Sequence, residues 1–262
     1  MMKILILGGN GMLGPWAVKA MQDHHDILLT DINDSYPEYT GEFQKLSVDD
    51  VDGVVKAAEG MDMIVNLSVL RPHRQIAFDV NTMGNYSMMV AAREHRIDRV
   101  ITTGPHYQKV GQQYEEWDFD LNPDMPPAPG TRLYAHTKAL GQEICRVFSE
   151  RHGIQVITLL YYNMKHSWNL SGPEASVVYH EDMVPFSTAW QDCGTAVRAA
   201  VEVPEDRLAS KNEAFFIFPD LPHRKFDNEK TRRVLGWKPR YQVERLWNKD
   251  ARNPESNLTE AF

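Results

Sequence analysis

The sequence predicts an α/β chain built on a doubly wound parallel sheet. Short apolar strands alternate with stretches of helical period from the first residues onward. Those strands are apolar at successive positions instead of at every second one, so both faces must be covered. A third observation is Leu7–Trp16, LGGNGMLGPW, where glycines follow the first strand at once and a helical period follows the glycines. Parallel neighbours need a crossover, and a helix supplies it.

Lys3–Leu7 reads as a buried strand, bounded by Gly8. Asn10-Gly11 is a hairpin signal taken alone. A hairpin needs a second strand directly after it, and Met12–Gln22 instead has Met12, Trp16 and Ala20 on one helical stripe beside Val18 and Met21. Pro15 falls at the edge of the first helical turn, so slight distortion is expected there. Asp26–Thr30 is a second strand with Asp31 at its end, and Phe43–Leu46 a short third one. Val51–Glu59 is a helix stopped by Gly60, and Met61–Leu67 a strand. Gln75–His95 reads as one long amphipathic helix. Arg99–Thr102 is a strand ended by Gly104-Pro105, and Gly111–Gly130 is mostly loop. Leu133–His152 is a long helix closing at Gly153, followed by a strand at Gln155–Leu160. Asn163–Val184 has no clear period. Gln191–Glu202 is helical, Ala214–Phe218 a strand, and Glu229–Leu235 a helix ending at Gly236.

The chain has 262 residues, 42% hydrophobic, enough for one large core with a small annex. Net charge is −8, and Arg71–Arg74 and His223–Lys225 are short, isolated basic runs that read as solvated loops. A nucleic-acid partner is therefore not expected. Two cysteines, Cys145 and Cys193, lack CxxC spacing, which excludes a disulfide framework and fits a reducing compartment. No apolar run reaches the ~18 residues of a membrane span. Lys3 leads into a strand-length apolar stretch and not a signal peptide, so a cytoplasmic location is expected. Neither His24-His25 nor His180-Glu-Asp182 has metal-ligand spacing, and no metal is expected. Trp16, Trp190 and Trp237 read as packing residues.

Gly8, Gly11 and Gly14 form a GxxGxxG spacing between strand and helix. Gly8 permits a tight exit, Gly11 lets a pyrophosphate approach backbone N–H groups, and Gly14 lets the helix pack on the sheet. The helix N-terminus then directs partial positive charge at the phosphates. Asp31, at the end of the second strand, is placed to accept the ribose hydroxyls of adenosine. It would repel a 2′-phosphate, which favours NAD over NADP.

Tyr134 and Lys138 are one helical turn apart and share a face. A free tyrosine has a pKa of about 10, and bringing it to neutrality takes about 4 kcal/mol of differential stabilisation. A nearby ammonium and an oxidised nicotinamide both favour the phenolate. Such a tyrosine exchanges a proton with a substrate hydroxyl while hydride moves. Thr102 and Thr103 lie at the carboxyl end of a central strand, where a hydroxyl could hold the substrate oxygen. His136, between Tyr134 and Lys138, points off that face.

With these pieces in order, the chain resembles the short-chain dehydrogenase/reductase superfamily, extended type, the NAD-dependent epimerase/dehydratase group. Val65-Asn-Leu-Ser68, Asn81, Thr102-Thr103, Tyr134–Lys138, Trp190-Gln-Asp192 and Arg232-Arg-Val-Leu-Gly-Trp-Lys-Pro-Arg240 also occur in family order. The resemblance implies a Rossmann-type NAD-binding core over 1–162. A mixed C-terminal part, 163–262, would carry substrate loops at 163–190. It implies that Gly8, Asn10, Gly11, Met12 and Leu13 line the pyrophosphate and that Asp31 and Ile32 hold the ribose. Ser47 and Val48 would stand at the adenine, and Leu67 and Ser68 under the cofactor. Asn81, on the helix behind, would help order a proton path. Thr103, Tyr134 and Lys138 would be catalytic, Thr103 being preferred to Thr102 because Tyr107 follows it by four residues. Ser68, Thr103, His106, Tyr134 and Asn163 would meet the substrate.

Within the group, Pro126–Glu143 and Ser187-Thr-Ala-Trp190 look most like uronate dehydrogenases, which oxidise C1 of a hexuronate with NAD. About 30 residues, Asn163–Asp192, stand before the next helix, little room for a nucleotide-sugar diphosphate. The implied partner is a small carbohydrate-type substrate, and the implied activity is hydride transfer between a sugar, sugar acid or polyol hydroxyl and nicotinamide. A sugar-nucleotide epimerase or dehydratase with retained NAD is the alternative, and a non-catalytic NAD(P)-binding regulator another. Family members often dimerise through two helices per subunit, here Gln75–His95 and Leu133–His152, with Met83, Met88 and Cys145 on interface or core faces. Three departures stand out. Ser47 replaces the Asp that contacts adenine, the Arg usual after the sixth strand is missing from Leu159–Asn163, and no Arg occurs in His180–Ser187, where Val184 or Pro185 is nearest. His166, Trp168 and His180 could line a different pocket.

Overall fold

The fold is taken from a computed structural model, which describes residues 1–36, 38–110, 121–165, 187–219 and 226–241. Strands β1 (Lys3–Leu7), β2 (Asp26–Asp31), β3 (Glu42–Lys45), β4 (Met63–Asn66), β5 (Arg99–Pro105), β6 (Gln155–Tyr161) and β9 (Asn212–Ile217) form a seven-stranded sheet in the order β3-β2-β1-β4-β5-β6-β9. Every pairing in it is parallel. A separate short pair joins β7 (Met164–Lys165) to β8 (Thr188–Ala189).

The two-faced apolar strands explain the layers. Ile4 and Ile6 of β1 point into one core with Met63, Val65, Ile101 and Ile157, against α1 (Gly14–Met21) and α7 (Trp190–Glu202). Leu5 and Leu7 point into the other with Ile64, Val100 and Val156. That second core is covered by α2 (Val51–Ala57), α4 (Gly84–His95) and α6 (Leu133–His152). Each fully buried side chain of this kind contributes about 1.5–3 kcal/mol. A third cluster, Leu160, Phe216, Phe218 and Phe226 with Leu121, closes the β9 edge. Among the described residues no helix is long and apolar enough to cross a membrane.

Several elements depart from the periodicity reading. Met12 precedes α1 and is 61% exposed, so it is no part of the helix's apolar stripe. Pro15 falls within the first turn, where a missing N–H leaves no intrahelical bond unmade, and no distortion is needed. The expected single helix over Gln75–His95 is α3 (Arg74–Phe78), a π turn at Asp79–Met83 and α4. The π turn carries one residue more than an α turn, and the Asn81 carbonyl accepts from Asn85 Nδ2 at 2.7 Å. Thr82 Oγ1 donates to the Thr137 carbonyl of α6 at 3.0 Å. The helix over Glu229–Leu235 is a π turn at Thr231–Leu235, capped by Gly236. Strand β5 runs on to Pro105 because β4 ends opposite Thr102, so the Pro105 nitrogen faces no partner strand. Tyr107–Val110 is a short helix, α5.

The C-terminal stretch after Gly236 is stapled to α7. Trp237 is buried in the main core, and its Nε1 donates to the Asp192 carbonyl at 3.2 Å and to Thr195 Oγ1 at 3.1 Å. The Asp192 carboxylate accepts from Arg240 N and Tyr241 N, each at 2.9 Å. Trp237→Phe keeps the ring body and loses both bonds, so urea unfolding should register a loss of about 1–2 kcal/mol. Trp237→Ala should cost about 3–5 kcal/mol, and no measurable loss in Trp237→Phe would show that the indole bonds contribute nothing.

Candidate active site

The order β2-β1-β4 reverses the chain's direction of travel across the sheet, and the loops leaving β1 and β4 diverge there. Their opening is a cleft of about 690 Å³ at the carboxyl ends of the strands. Gly8 leaves β1 with φ +74°, and a Cβ there would lie 2.6 Å from the Ser68 Cα, so only glycine fits. Gly14 is required for a different reason from the expected helix–sheet packing. Its Cβ would lie 1.8 Å from the Gly9 carbonyl oxygen, so it closes the loop on itself. The first turn of α1 has no side-chain cap, which leaves its N-terminus to a ligand.

The sequence-predicted residues gather unevenly. Gly8, Asn10, Gly11, Met12 and Leu13 line the cleft from the loop after β1. Asp31 and Ile32 line it after β2, Ser47 and Val48 after β3, and Leu67 and Ser68 after β4. Thr103 lines it from β5, Tyr134 from α6 and Asn163 from the chain after β6. Asp31 is buried, and its Oδ2 accepts from Asn10 N at 3.0 Å while Oδ1 accepts from Asn33 N at 3.0 Å. The carboxylate is thus held by the glycine loop itself; Oδ1 also accepts from Asn33 Nδ2 at 3.2 Å, and Oδ2 keeps a lone pair for a hydroxyl. Ile32 is 58% exposed beside it. This cradle fits a dinucleotide: a turn no side chain could occupy, an uncapped helix end and an oriented acid.

Thr102 and Thr103 separate cleanly. Thr102 Oγ1 donates to Asn85 Oδ1 at 2.8 Å behind the sheet, whereas Thr103 faces the cleft. Lys138 does not line the cleft. It is 2% exposed, and its Nζ donates to the Ser68 carbonyl at 2.8 Å, clamping the loop after β4 to α6. Asn81 is also fully buried. Its Nδ2 donates to the Leu70 carbonyl at 2.7 Å and to Thr137 Oγ1 at 3.0 Å, so it positions that loop and is not a cofactor contact.

His106 is not a substrate contact either. It is fully buried outside the cleft, with its ring against Tyr107, Tyr162 and Phe226 at centroid distances of 5.3, 4.1 and 5.6 Å. Burial holds its imidazole down to about 3. His166, Trp168, His180, Val184, Pro185 and His223–Lys225 lie outside the described residues. Among the described residues no three His, Cys, Asp or Glu side chains gather as a metal site.

Three side chains went unread. Arg71, expected in a solvated loop, lines the cleft with its guanidinium carbon 5.1 Å from the Tyr134 ring centroid. Tyr107 stands edge-on to Tyr134, with centroids 6.0 Å apart. Asp49 lines the cleft beside Ser47, whose hydroxyl it accepts in a short hydrogen bond. The available signal was position: Asp49, Arg71 and Tyr107 follow the carboxyl ends of β3, β4 and β5, the edge of the sheet at which ligands bind.

The electrostatics also differ from expectation. Burial pushes the Tyr134 phenol up to about 12, and the Arg71 guanidinium works against that rise. Burial holds Lys138 down to about 7. In the protein alone the tyrosine is therefore harder to ionise than in water, because loss of solvent outweighs the neighbouring cations.

A model of the family described as "NAD dependent epimerase/dehydratase family" matches residues 4–168. L-arabinose 1-dehydrogenase (NAD(P)(+)) of Haloferax volcanii is 27% identical, the match covering 92% of this chain and 97% of that protein. Uronate dehydrogenase from Agrobacterium tumefaciens has a similar structure, with TM-score 0.74, 20% identity and coverage of 100% of this chain and 90% of that one. UDP-N-acetylglucosamine 4-epimerase from Bacillus cereus reaches TM-score 0.70 at 16% identity, covering 94% of this chain and 98% of that one. Net oxidation and epimerisation thus share this fold, and the fold alone does not choose between them. The matched segment takes in the glycine loop, Asp31, Thr103, Tyr134 and Lys138, and by it the chain belongs to the NAD-dependent epimerase/dehydratase family.

Proposed function

We propose that this protein is an NAD-dependent oxidoreductase that moves a hydride between nicotinamide and a hydroxyl of a free sugar, sugar acid or polyol. The observation that carries this reading is the meeting of Thr103 and Tyr134 in one cleft with Lys138 directly behind them. The near full-length likeness to an arabinose dehydrogenase supports a small carbohydrate substrate.

NAD, when bound, supplies the hydride acceptor. The rest falls to the chain. Thr103 Oγ1 and Tyr134 Oη hold the substrate hydroxyl, and Tyr134 Oη takes its proton as the C–H bond breaks. Lys138 fixes the loop under the nicotinamide end through Ser68, while the cation acting on the Tyr134 phenol in the protein alone is Arg71. Because burial alone pushes Tyr134 up to about 12, the phenol needs the added positive charge of the oxidised cofactor to act as a base. Residues 1–162 serve as the cofactor core, and the loops within 163–190 shape the substrate pocket.

The outward faces of the π turn, α4 and α6 expose Met83, Tyr86, Leu140 and Val147, while Met88 and Cys145 belong to the core. This apolar face supports a homodimer with the two long helices of each subunit at its centre.

Purified protein with NAD and a panel of aldoses, uronates and polyols should accumulate NADH. Product without net NADH would instead indicate an epimerase. Tyr134→Phe and Lys138→Met should each lower kcat/KM by roughly 10²–10⁴-fold, and activity equal to wild type in Tyr134→Phe would end the proposal. NAD should be preferred to NADP, and Asp31→Ala should narrow that preference by about tenfold, equivalent to about 1.4 kcal/mol. Light scattering on a sizing column should give a dimer mass that Leu140→Glu with Val147→Glu reduces to a monomer. A wild-type monomer would refute the helix-pair interface.

A further inference from the structure

The reactive end of the cleft carries a positive charge that no carboxylate among the described residues pairs with. Arg71, three residues beyond Ser68, lays its guanidinium 5.1 Å from the Tyr134 ring centroid and opens onto the cleft. Its side chain is exposed, and among the described residues no carboxylate lies within ion-pair distance of it. The surroundings reinforce the sign. Tyr107 and Tyr134 both feel the Arg71 charge, and Tyr107 feels Arg132 in addition. Lys165 adds a further cation to the lining beside Asn163. Among the described residues, those that line this end after β5 and β6 include no carboxylate. The carboxylates that line the cleft, Asp31, Asp49 and Asp79, come from the loops after β2 and β3 and from the π turn.

We propose that Arg71 is the anion-recognition residue of the substrate pocket and that the substrate is a sugar acid. Its carboxylate pairs with the Arg71 guanidinium while a ring hydroxyl faces Thr103 and Tyr134. This deepens the dehydrogenase reading above and rests on it. The guanidinium fork matches a planar carboxylate in two parallel hydrogen bonds, which a lysine at the same place could not reproduce. A sugar phosphate offers the same charge from a tetrahedral group, and Arg71 is also near enough to the cofactor loop for a diphosphate to compete. The test separates these sources.

The experiment compares wild type, Arg71→Gln and Arg71→Lys on sets differing only at C6: glucose, glucuronate and glucose 6-phosphate, with the galacto series alongside. Wild type should favour the uronate over the matching aldose in kcat/KM. In Arg71→Gln that uronate-to-aldose ratio should fall by about 10–100-fold, the size of a lost charge-assisted pair, and Arg71→Lys should recover part of it. An unchanged ratio, with both substrates slowed alike, would overturn the proposal and make Arg71 a positioning residue for Tyr134. A preference for the phosphate ester over the uronate would overturn the carboxylate assignment. NADH affinity, read by fluorescence quenching, should stay level between wild type and Arg71→Gln; a loss there would reassign Arg71 to the cofactor. If no sugar reduces NAD, the dehydrogenase reading falls. Calorimetric binding of glucuronate to the NADH-loaded protein then decides Arg71 separately. Binding in wild type and its loss in Arg71→Gln supports the assignment, and equal behaviour of the two proteins overturns it.

Discussion

The site depends on how closely two backbones approach where they leave β1 and β4. At Gly8 there is no room for a single methyl group, because Ser68 stands where it would go. That contact brings the glycine loop against the loop after β4 and sets the width of the cleft. Ser68 is in turn over-determined. Its N–H and its hydroxyl both donate to Asn66 Oδ1, at 3.0 and 2.5 Å, and its carbonyl accepts from Lys138 Nζ. Two residues on, Leu70 is gripped at both backbone atoms by the Asn81 amide. Asn66 Nδ2 is the one side-chain atom of this set left buried without a partner among the described residues; a buried network of this kind holds one geometry because alternatives leave more polar atoms unpaired. The lysine thus anchors the floor of the cleft while standing one helical turn from the tyrosine.

Burial acts on this pair in a consistent direction. Both Tyr134 and Lys138 are driven toward their neutral forms, the phenol up to about 12 and the ammonium down to about 7. A dry site strengthens every charge placed in it, so a positive group arriving beside Tyr134 has more effect there than it would in water. The protein alone does not present an activated base. It presents a buried phenol whose ionisation waits on positive charge close by, and Arg71 already contributes some.

What the sequence revealed and what it hid follow from how each feature is encoded. Strands buried on both faces leave an unbroken apolar run, so β1, β4, β5 and β6 were legible to within a few residues. Tyr134 and Lys138 were legible because helical spacing is local, and Thr103 emerged over Thr102 only with the help of the family pattern. The π turn at Asp79–Met83 was not legible: one extra residue in a turn shifts the hydrophobic phase without breaking the helix. Its cause, the closeness of α6 through Thr82 and Thr137, is tertiary. His106 was misplaced because a histidine just past a strand end can turn inward or outward, and here a cage of aromatic rings took it inward. Arg71 was misread for the opposite reason: an exposed arginine in a loop gives no sign of which surface it overlies.

The departure at Ser47 takes on a different meaning once Asp49 is placed. A serine replaces the expected carboxylate, yet the serine hydroxyl holds a carboxylate two residues later that lines the same cleft. That end of the cleft is therefore acidic, with Asp31 and Asp49 following β2 and β3, while the end near Tyr134 carries Arg71 and Lys165. Topology sets part of this arrangement, since β2 and β3 lie on one side of the switch point and the chain carrying Arg71 on the other, although Asp79 of the π turn brings a carboxylate to the cleft from that second side as well. A ligand with hydroxyls at one end and an anion at the other would meet different side chains at its two ends, Arg71 beside Tyr134 and the acids after β2 and β3.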